Sequence, residues 1–275
     1  MESGGLALLV SGYCLSKGKL SAPVSQALHM ATELQTIPLL NLAVILAPVA
    51  VVIGVLFRWS LRGLNALYSV GRMALQLALV GFLLTTIFNT ENPWLVVSVL
   101  TVMVLAASWI ALGTAAGLRR PLYGRALLAI VLCGGSVLWL VVAVVLRADS
   151  LFAPQVVIPL AGMIFAGAMN SISLAVERLQ TELTSGQAVN AARNIAMQTA
   201  MIPVINSMFA VGLVSLPGMM TGQILSGVSP LIAVRYQVVV MCMLFGASGM
   251  ATALFFKLAL PLMSATNVIE PVNGE

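Results

Sequence analysis

Charge is the scarcest property of this sequence. Only 8% of its 275 residues are Asp, Glu, Lys or Arg, whereas an ordinary soluble domain has about 25%. Hydrophobic residues make up 60% of the chain, and the mean hydropathy is +1.07. A water-facing surface cannot be built from so few charges. The composition therefore excludes a soluble globular protein and a disordered chain, and it predicts an all-α polytopic membrane protein.

Residues that bind nucleotides or carry out catalysis are equally scarce. The chain has no GxxxxGK[ST] phosphate-binding loop, and none of its three lysines follows a glycine-rich turn. The single histidine, His29, precedes the long apolar intervals, and those intervals contain no Asp or Glu. We therefore predict no enzyme active site, no cofactor in this chain and no relay of buried carboxylates. Two cysteines in apolar runs, Cys133 and Cys242, and the abundant methionines are expected to serve packing.

The few charges divide the chain into apolar intervals. Because about 20 apolar residues cross a bilayer, six of the intervals fit one helix each. The interval 194–234 is too long for one helix and is interrupted by Pro and Gly. We predict about seven transmembrane helices, with a broken or re-entrant segment after the sixth. The intervals without Asp, Glu, Lys or Arg are 34–57, 73–90, 92–118, 126–146, 150–176, 194–234 and 236–256.

The basic residues predict the orientation. Nine Lys and Arg fall on one side of the predicted spans and four on the other, and the richer side should be cytoplasmic. This places the N-terminus outside and the C-terminus in the cytoplasm, and it accounts for the net charge of +5 without nucleic-acid binding. The predicted organisation is an N-terminal tail or interfacial segment over 1–36, a transmembrane permease domain over 37–262 and a cytoplasmic tail over 263–275.

Amide and hydroxyl side chains inside the spans are candidates for a substrate pathway. Such groups are costly against lipid, so they should face other helices or water. Hydrogen bonding between helices is the alternative for any single one. The candidates are Gln76, Asn170, Gln198, Asn206 and Ser207.

The segment SLPGMMTG over 215–222 interrupts a helical run and is a candidate gate. Broken helices within a membrane persist only where they are buried in protein or line a cavity; a tight external turn is the alternative. The candidate gate residues in it are Pro217, Gly218, Met219, Met220 and Gly222, and the similar IPLAGM adds Pro159 and Gly162.

A mixed-charge segment over 177–193 lies on the predicted cytoplasmic side. Glu177, Arg178, Glu182 and Arg193 surround Gly186. A short helix lying along the membrane surface would have this composition and could dock a soluble partner, while an ordinary solvated loop is the alternative.

Three stretches carry a family resemblance: VGLVSLPGMMTGQILSGVSPLIAVRYQVVV over 211–240, VGRMALQLALVGFLLTTIFNTEN over 70–92 and QVVIPLAGMIFAGAM over 155–169. They resemble the FetB/YbbM-like permeases, bacterial membrane subunits of an ABC transporter assigned to iron export and related to plant aluminium-tolerance permeases. The resemblance covers about residues 40–260. It implies a bacterial inner-membrane location, a separate FetA-like ATP-binding-cassette ATPase that binds ATP and Mg, and a second copy of this chain.

The resemblance also implies that 177–193 couples the chain to the ATPase, with Glu182, Leu183 and Gly186 as the matching residues. A family Asp-Ser-x-Lys element reads Asn206, Ser207, Met208 and Phe209 here, which removes a carboxylate and leaves the metal ligands unknown. The expected function is the permease subunit of an ABC transporter that exports iron or another metal ion or metal complex. A passive channel or secondary carrier that needs no ATPase is the alternative.

Overall fold

The structure, a computed structural model, describes residues 38–61, 63–87, 92–115, 117–147 and 152–269. Helices make up nearly all of these ranges, and the described residues contain no strand, only an isolated bridge between Val211 and Ser215. The helices are α1 (Leu39–Val44), α2 (Leu46–Arg58), α3 (Gly63–Ile87), α4 (Pro93–Ala111), α5 (Arg119–Val145), α6 (Pro154–Thr184), α7 (Val189–Ala210), α8 (Gly218–Leu225) and α9 (Pro230–Ile269).

Five helices in the described ranges are long and apolar enough to cross a membrane: α3, α4, α5, α6 and α9. The chain is thus a multi-pass helical membrane protein, and the predicted total of seven is not confirmed. Of the remaining two expected spans, α2 is apolar but has only 13 residues. α7 has 22 residues, and its several Asn, Gln and Arg side chains lower its hydropathy.

Most helices extend beyond the intervals predicted from charge, and α6 and α9 do so at their C-terminal ends. α6 continues through Glu177 to Thr184, and in this extension the partly exposed Arg178 forms an ion pair with the buried Glu182, one turn later. α9 continues to Ile269, so the first residues of the predicted 263–275 tail are helical. Residues 270–275 of that tail and the predicted 1–36 segment lie outside the described residues.

The described residues form two compact units. One comprises the chain from residue 38 to Leu77 together with Gly222–Ser229, and the other comprises Ala78–Thr221 and the chain from Pro230 onward. In the first unit, α2 contains no buried residue, so its apolar side chains are available to lipid or to another chain.

The second unit has a core organised around α6. This helix packs against α4, α7 and α9, and the contact faces carry small residues. On α7, Ala192, Ala196 and Ala200 are spaced by four and fully buried. Small residues let membrane helices approach closely and gain dispersion energy, which replaces the hydrophobic driving force that lipid does not provide. The position of α6 between three helices makes it one wall of the site described next.

Candidate functional site

A cavity of about 150 Å³ lies between α6, α7 and α9; we call it the central cavity. Each helix contributes residues spaced by three or four, which lie on one face of a helix. The lining consists of Gly167, Asn170, Ser171 and Leu174 from α6, Ala200, Pro203, Val204 and Ser207 from α7, and Met241, Leu244 and Ser248 from α9.

Four of the lining side chains are polar. Asn170 and Ser207 are exposed at the opening, whereas Ser171 and Ser248 are buried. The Oγ of Ser248 has no hydrogen-bond partner among the residues that the structure describes. A buried hydroxyl without a partner costs roughly 1–3 kcal/mol. Most of the lining is apolar, but a water molecule or another polar occupant would give this hydroxyl a partner, and the volume admits several water molecules or a small ion.

The approach of α9 to α6 at this cavity depends on Gly167. A Cβ placed on Gly167 would lie 3.1 Å from the Ser248 Oγ and 3.2 Å from the Leu244 Cδ2, closer than ordinary van der Waals contact. On the opposite wall, Pro203 lies inside α7 and cannot donate a hydrogen bond to the carbonyl of Thr199, four residues earlier. The cavity is thus bounded on one side by the close contact between α6 and α9. On the other side it is bounded by α7, in which Pro203 removes one backbone hydrogen bond.

The structure brings together only some of the predicted pathway residues. Asn170 and Ser207 line the central cavity. Gln198 and Asn206 are exposed on other faces of α7, because neighbouring helical residues point about 100° apart, and Gln76 belongs to the first unit. The central cavity contains two of the five candidates, and that all five line one pathway stays a prediction. Ser171 and Ser248 are polar lining residues that were not among the candidates, although Ser248 lies seven residues from Met241, on the same face of α9.

A broken or re-entrant segment is predicted after the sixth expected span; the structure has a turn there, and a re-entrant segment is not confirmed. α7 ends at Ala210, whose carbonyl accepts hydrogen bonds from the N–H groups of Val214 (2.8 Å) and Ser215 (3.1 Å). Gly212 has φ +82°, a conformation that glycine adopts without steric cost. The tip presents Leu213, which is 89% exposed. After Pro217 the chain re-enters a short helix, α8.

The candidate gate residues are distributed over separate places. Pro217 precedes α8, and Gly218, Met219, Met220 and Gly222 lie within α8. α6 is continuous through Pro159 and Gly162, so these two do not form a second break. A Cβ on Gly162 would lie 3.2 Å from the Met103 Cε, which indicates that Gly162 serves close packing against α4.

The mixed-charge segment 177–193 is neither a separate surface helix nor an extended loop. It consists of the last turns of α6, the four-residue turn 185–188 and the start of α7. Gly186 has φ +80°, its N–H donates to the carbonyl of Leu183 (3.1 Å), and the Gln187 N–H donates to that of Glu182 (3.1 Å). These two bonds form a Schellman C-cap. The segment is thus a rigid helical hairpin, which we call the α6–α7 hairpin.

The candidate coupling residues differ in accessibility on this hairpin. Glu182 is 9% exposed and pairs with Arg178, and Leu183 packs against the core. Glu177 is exposed, and Arg193 donates from Nη2 to the Asn194 Oδ1 at 3.0 Å. The hairpin therefore combines a side anchored to the bundle with exposed charge, and it joins two of the three helices that line the central cavity.

The connection between α4 and α5 contacts the C-terminal half of α6. The Thr114 Oγ1 donates to the carbonyl of Ser173 at 3.2 Å. Arg119 donates to the carbonyl of Trp109 from Nη2 (2.7 Å) and Nε (3.1 Å), and its guanidinium lies 3.9 Å from the centre of the Trp109 ring. Trp is enriched at the interface between hydrocarbon and water. Arg119, Arg120 and Arg125 lie in the first two turns of α5, and we call them the Arg cluster.

A family profile described as "Uncharacterised protein family (UPF0014)" matches residues 39–262, which include every residue of the central cavity and the hairpin. The chain belongs to the UPF0014 family. This confirms the resemblance inferred from 211–240 and the two other stretches. No solved structure gives a significant match.

Relatives of this UPF0014 chain come from bacteria and plants. It is 36% identical over 216 residues to the UPF0014 membrane protein slr1647 of Synechocystis, covering 72% of this chain and 83% of the relative. It is 32% identical over 229 residues to the "Probable iron export permease protein FetB" of Escherichia coli, covering 78% and 86%. It is 32% identical over 225 residues to the protein ALUMINUM SENSITIVE 3 of Arabidopsis thaliana, covering 76% and 81%. The family thus consists of membrane proteins and includes one named as a permease.

The described part of this UPF0014 protein contains no group of three or more His, Cys, Asp or Glu that could hold a metal ion. The polar side chains of the central cavity offer only neutral oxygen and nitrogen atoms, and Met241 adds one thioether sulfur. Such a lining can solvate a hydrated or complexed cation, but it does not provide the carboxylate set that a tightly held hard divalent ion requires.

Proposed function

We propose that this chain is the membrane-spanning permease subunit of an ABC transporter that exports a metal ion or metal complex, with iron as the first substrate to test because of the relative named FetB. ATP and Mg would be bound by a separate ATP-binding-cassette ATPase. The proposal is supported chiefly by the α6–α7 hairpin, which directly joins two of the three helices that line the central cavity and its four polar side chains. A displacement of the hairpin would therefore move two cavity walls together.

Coupling would begin at the exposed charges of the hairpin. Glu177 offers a contact to a soluble ATPase, and the Arg178–Glu182 pair together with Leu183 transmits displacement to the bundle. The C-cap at Gly186 keeps the two helices at a fixed relation, so that movement is passed on rather than absorbed. The break around Gly212 would act as the opposite gate, at the other end of α7.

Asn170, Ser207 and Ser248 would receive the substrate in the central cavity. Neutral oxygens replace part of a hydration shell without holding the ion so tightly that release is prevented. A metal that keeps some of its water or arrives as a complex fits this set better than a bare divalent ion, since no carboxylate lines the cavity.

The membrane arrangement belongs to the same proposal. We propose seven spans, with α2 and α7 added to the five apolar helices, two copies of the chain in each transporter, and a bacterial inner-membrane location. The Arg cluster and the hairpin would face the cytoplasm. Arg119, Arg120, Arg125, Arg178 and Arg193 lie towards that end, whereas Arg147 and Arg235 lie at the opposite ends of their helices, as the positive-inside rule requires. The N-terminus would then be outside.

The test is reconstitution with and without the ATPase. The chain is co-expressed with a candidate ATP-binding-cassette ATPase, purified, and placed in proteoliposomes for ATP hydrolysis and Fe²⁺ flux. We expect a stable complex, metal-stimulated hydrolysis and ATP-dependent flux. Flux by the chain alone would instead identify a passive channel or secondary carrier, and absence of any complex would refute the coupling assignment.

A variant of the hairpin separates coupling from assembly. Glu182→Gln keeps the side-chain shape but weakens the pair with Arg178, and we expect it to lower ATP-dependent flux more than it lowers recovery of the complex. The matched control is Gln180→Glu, a partly buried residue of the same helix turn outside the pair. Equal flux in Glu182→Gln and the unchanged chain would contradict the role of the pair.

A further inference from the structure

A second cavity, of about 340 Å³, brings together three methionines and one cysteine of the second unit. We call it the methionine cavity. Met208 comes from α7, Met220 from α8, and Met241 and Cys242 from α9; Val211, Gly212, Val234, Gln237 and Val238 complete the lining. Three thioethers and one thiol from three helices thus share one cavity.

The expectation that these sulfur residues only fill space does not match this cavity. The cavity has a volume of about 340 Å³ and opens at the protein surface, where Met208 and Cys242 are exposed, so these sulfur side chains do not all fill space between packed helices. Cys242 is exposed rather than buried, which corrects the expectation that it packs as a small hydrophobic residue.

A second observation at the same cavity is independent of sulfur. Gln237 is only 6% exposed, and in the described part of the chain its Oε1 has no hydrogen-bond partner. Gln237 lies four residues before Met241 on α9, so both side chains share a face. An unsatisfied buried carbonyl oxygen is costly, and a bound cation would satisfy it.

The chemistry of the lining selects the cation. Thioether and thiol sulfur are soft ligands that prefer Cu(I) and similar ions, whereas hard divalent ions prefer several oxygens. Only one side-chain oxygen, that of Gln237, is among the lining residues. A monovalent ion is also cheaper to remove from water than a divalent ion, since the solvation cost rises with the square of the charge.

We infer that the methionine cavity is a binding site for a soft monovalent cation of the Cu(I) or Ag(I) class, held by Met208, Met220, Met241 and Cys242 with the Gln237 carbonyl oxygen beside them. The inference does not depend on the proposed transport function, because binding by the isolated chain requires neither the ATPase nor movement of the helices. It also differs from the central cavity, which offers oxygen and nitrogen atoms and shares only Met241 with this site.

The test uses Ag(I), which needs no reductant. The full-length chain carrying Cys14→Ser and Cys133→Ser is purified in detergent, titrated with silver nitrate in chloride-free buffer, desalted and measured for silver by mass spectrometry. We expect about one Ag(I) per chain, and X-ray absorption should report at least two sulfur neighbours. Competition with a Cu(I) chelator under ascorbate then gives the Cu(I) affinity.

Two triple variants of equal size separate ligation from packing. Met208→Leu, Met220→Leu and Met241→Leu together remove the thioethers with little change in volume, and we expect the affinity to fall at least about tenfold, since even loss of an outer-shell partner costs 10–100-fold. The control combines Met197→Leu, Met243→Leu and Met250→Leu, which lie on α7 and α9 outside the cavity. It should retain the original affinity and a similar thermal midpoint.

Three results would overturn the inference. The first is that the chain retains no more silver than a control membrane protein. The second is that both triple variants bind silver with equal affinity. The third is that Cys242→Ser abolishes binding while the cavity triple variant binds normally, which would identify an ordinary thiol adduct. Loss in the cavity triple with folding preserved, and partial loss in Cys242→Ser, would establish the sulfur site.

Discussion

Replacing Ser248 by Ala should make the protein more stable and less active. Ser248 is fully buried, and its Oγ finds no acceptor or donor within the described ranges. Leaving a hydroxyl in that condition costs roughly 1–3 kcal/mol. Removing it recovers that cost and loses a few dispersion contacts, so we expect a net stabilisation of about 1 kcal/mol.

Ser108 is the matched control for this substitution. It is also fully buried within a helix, but its Oγ donates to the carbonyl of Val104 at 2.7 Å. Ser108→Ala removes a satisfied hydrogen bond, and side-chain hydrogen bonds in membrane proteins contribute about 0.6 kcal/mol on average. The two substitutions delete the same atom from equally buried sites, and the structure predicts opposite signs.

The measurement is reversible unfolding in mixed detergent micelles, followed by tryptophan fluorescence, with thermal midpoints as a second readout. For a protein of this size, 1 kcal/mol corresponds to about 2–4 °C. Ser248→Ala should raise the midpoint and Ser108→Ala should lower it slightly. In proteoliposomes with the ATPase, Ser248→Ala should reduce flux despite its greater stability, as expected where a polar group is kept for function.

Two results would refute this reasoning. If Ser248→Ala destabilises the protein as much as Ser108→Ala or more, the hydroxyl has a partner in the folded state and the cavity does not favour a polar occupant at that atom. If stability rises and flux is unchanged, the unsatisfied hydroxyl is real but does not serve transport.

Three further substitutions test the hairpin, the Arg cluster and the close contact of α6 with α9. Gly186→Ala should destabilise the protein by about 1 kcal/mol, because a residue with a Cβ is strained at φ +80°. Its control is Gly124→Ala, where nothing in the described structure lies within 4 Å of the added Cβ. The control should be neutral or slightly stabilising in the same thermal assay. Arg119→Lys removes the two hydrogen bonds from the guanidinium to the Trp109 carbonyl and the stacking on the Trp109 ring. Tryptophan fluorescence should therefore shift, and the thermal unfolding midpoint should fall. An unchanged spectrum would contradict the contact. Gly167→Ala should cost about 1–3 kcal/mol through overpacking, and a variant of normal stability would show that the two helices are farther apart.

The helices could largely be predicted from charge and hydropathy, and the errors have local causes. The interval 92–118 contains α4, Pro93–Ala111, which has Pro93 at its first position. Asn92 caps this helix, because its Oδ1 accepts a hydrogen bond from the Trp94 N–H (3.0 Å). The interval ending at residue 176 was too short, because the charges that follow it continue the same helix instead of ending it. Charge marks where a helix can leave the hydrocarbon, but it does not end a helix.

The site was less predictable than the fold. Asn170 and Ser207 were among the residues expected to line a pathway, and both line the central cavity. Gln198 was chosen by the same reasoning and lies elsewhere, since polarity inside a span does not say which way a side chain faces. Ser248 was missed because a serine within a small-residue stretch of α9 looks like a packing position until α6 and α7 are placed beside it.

The sequence by itself determined that this is a helical membrane protein of the UPF0014 family, since both conclusions depend on residue identity along the chain: few charges, long apolar intervals and the stretch over 211–240. Only the tertiary structure decided which faces meet. The central cavity exists because α6, α7 and α9 converge on Gly167 and Pro203, and the methionine cavity exists because sulfur atoms far apart in the chain come to one place. Helix periodicity defines the possible faces of each helix, but the packing of helices against one another selects the face that becomes a site.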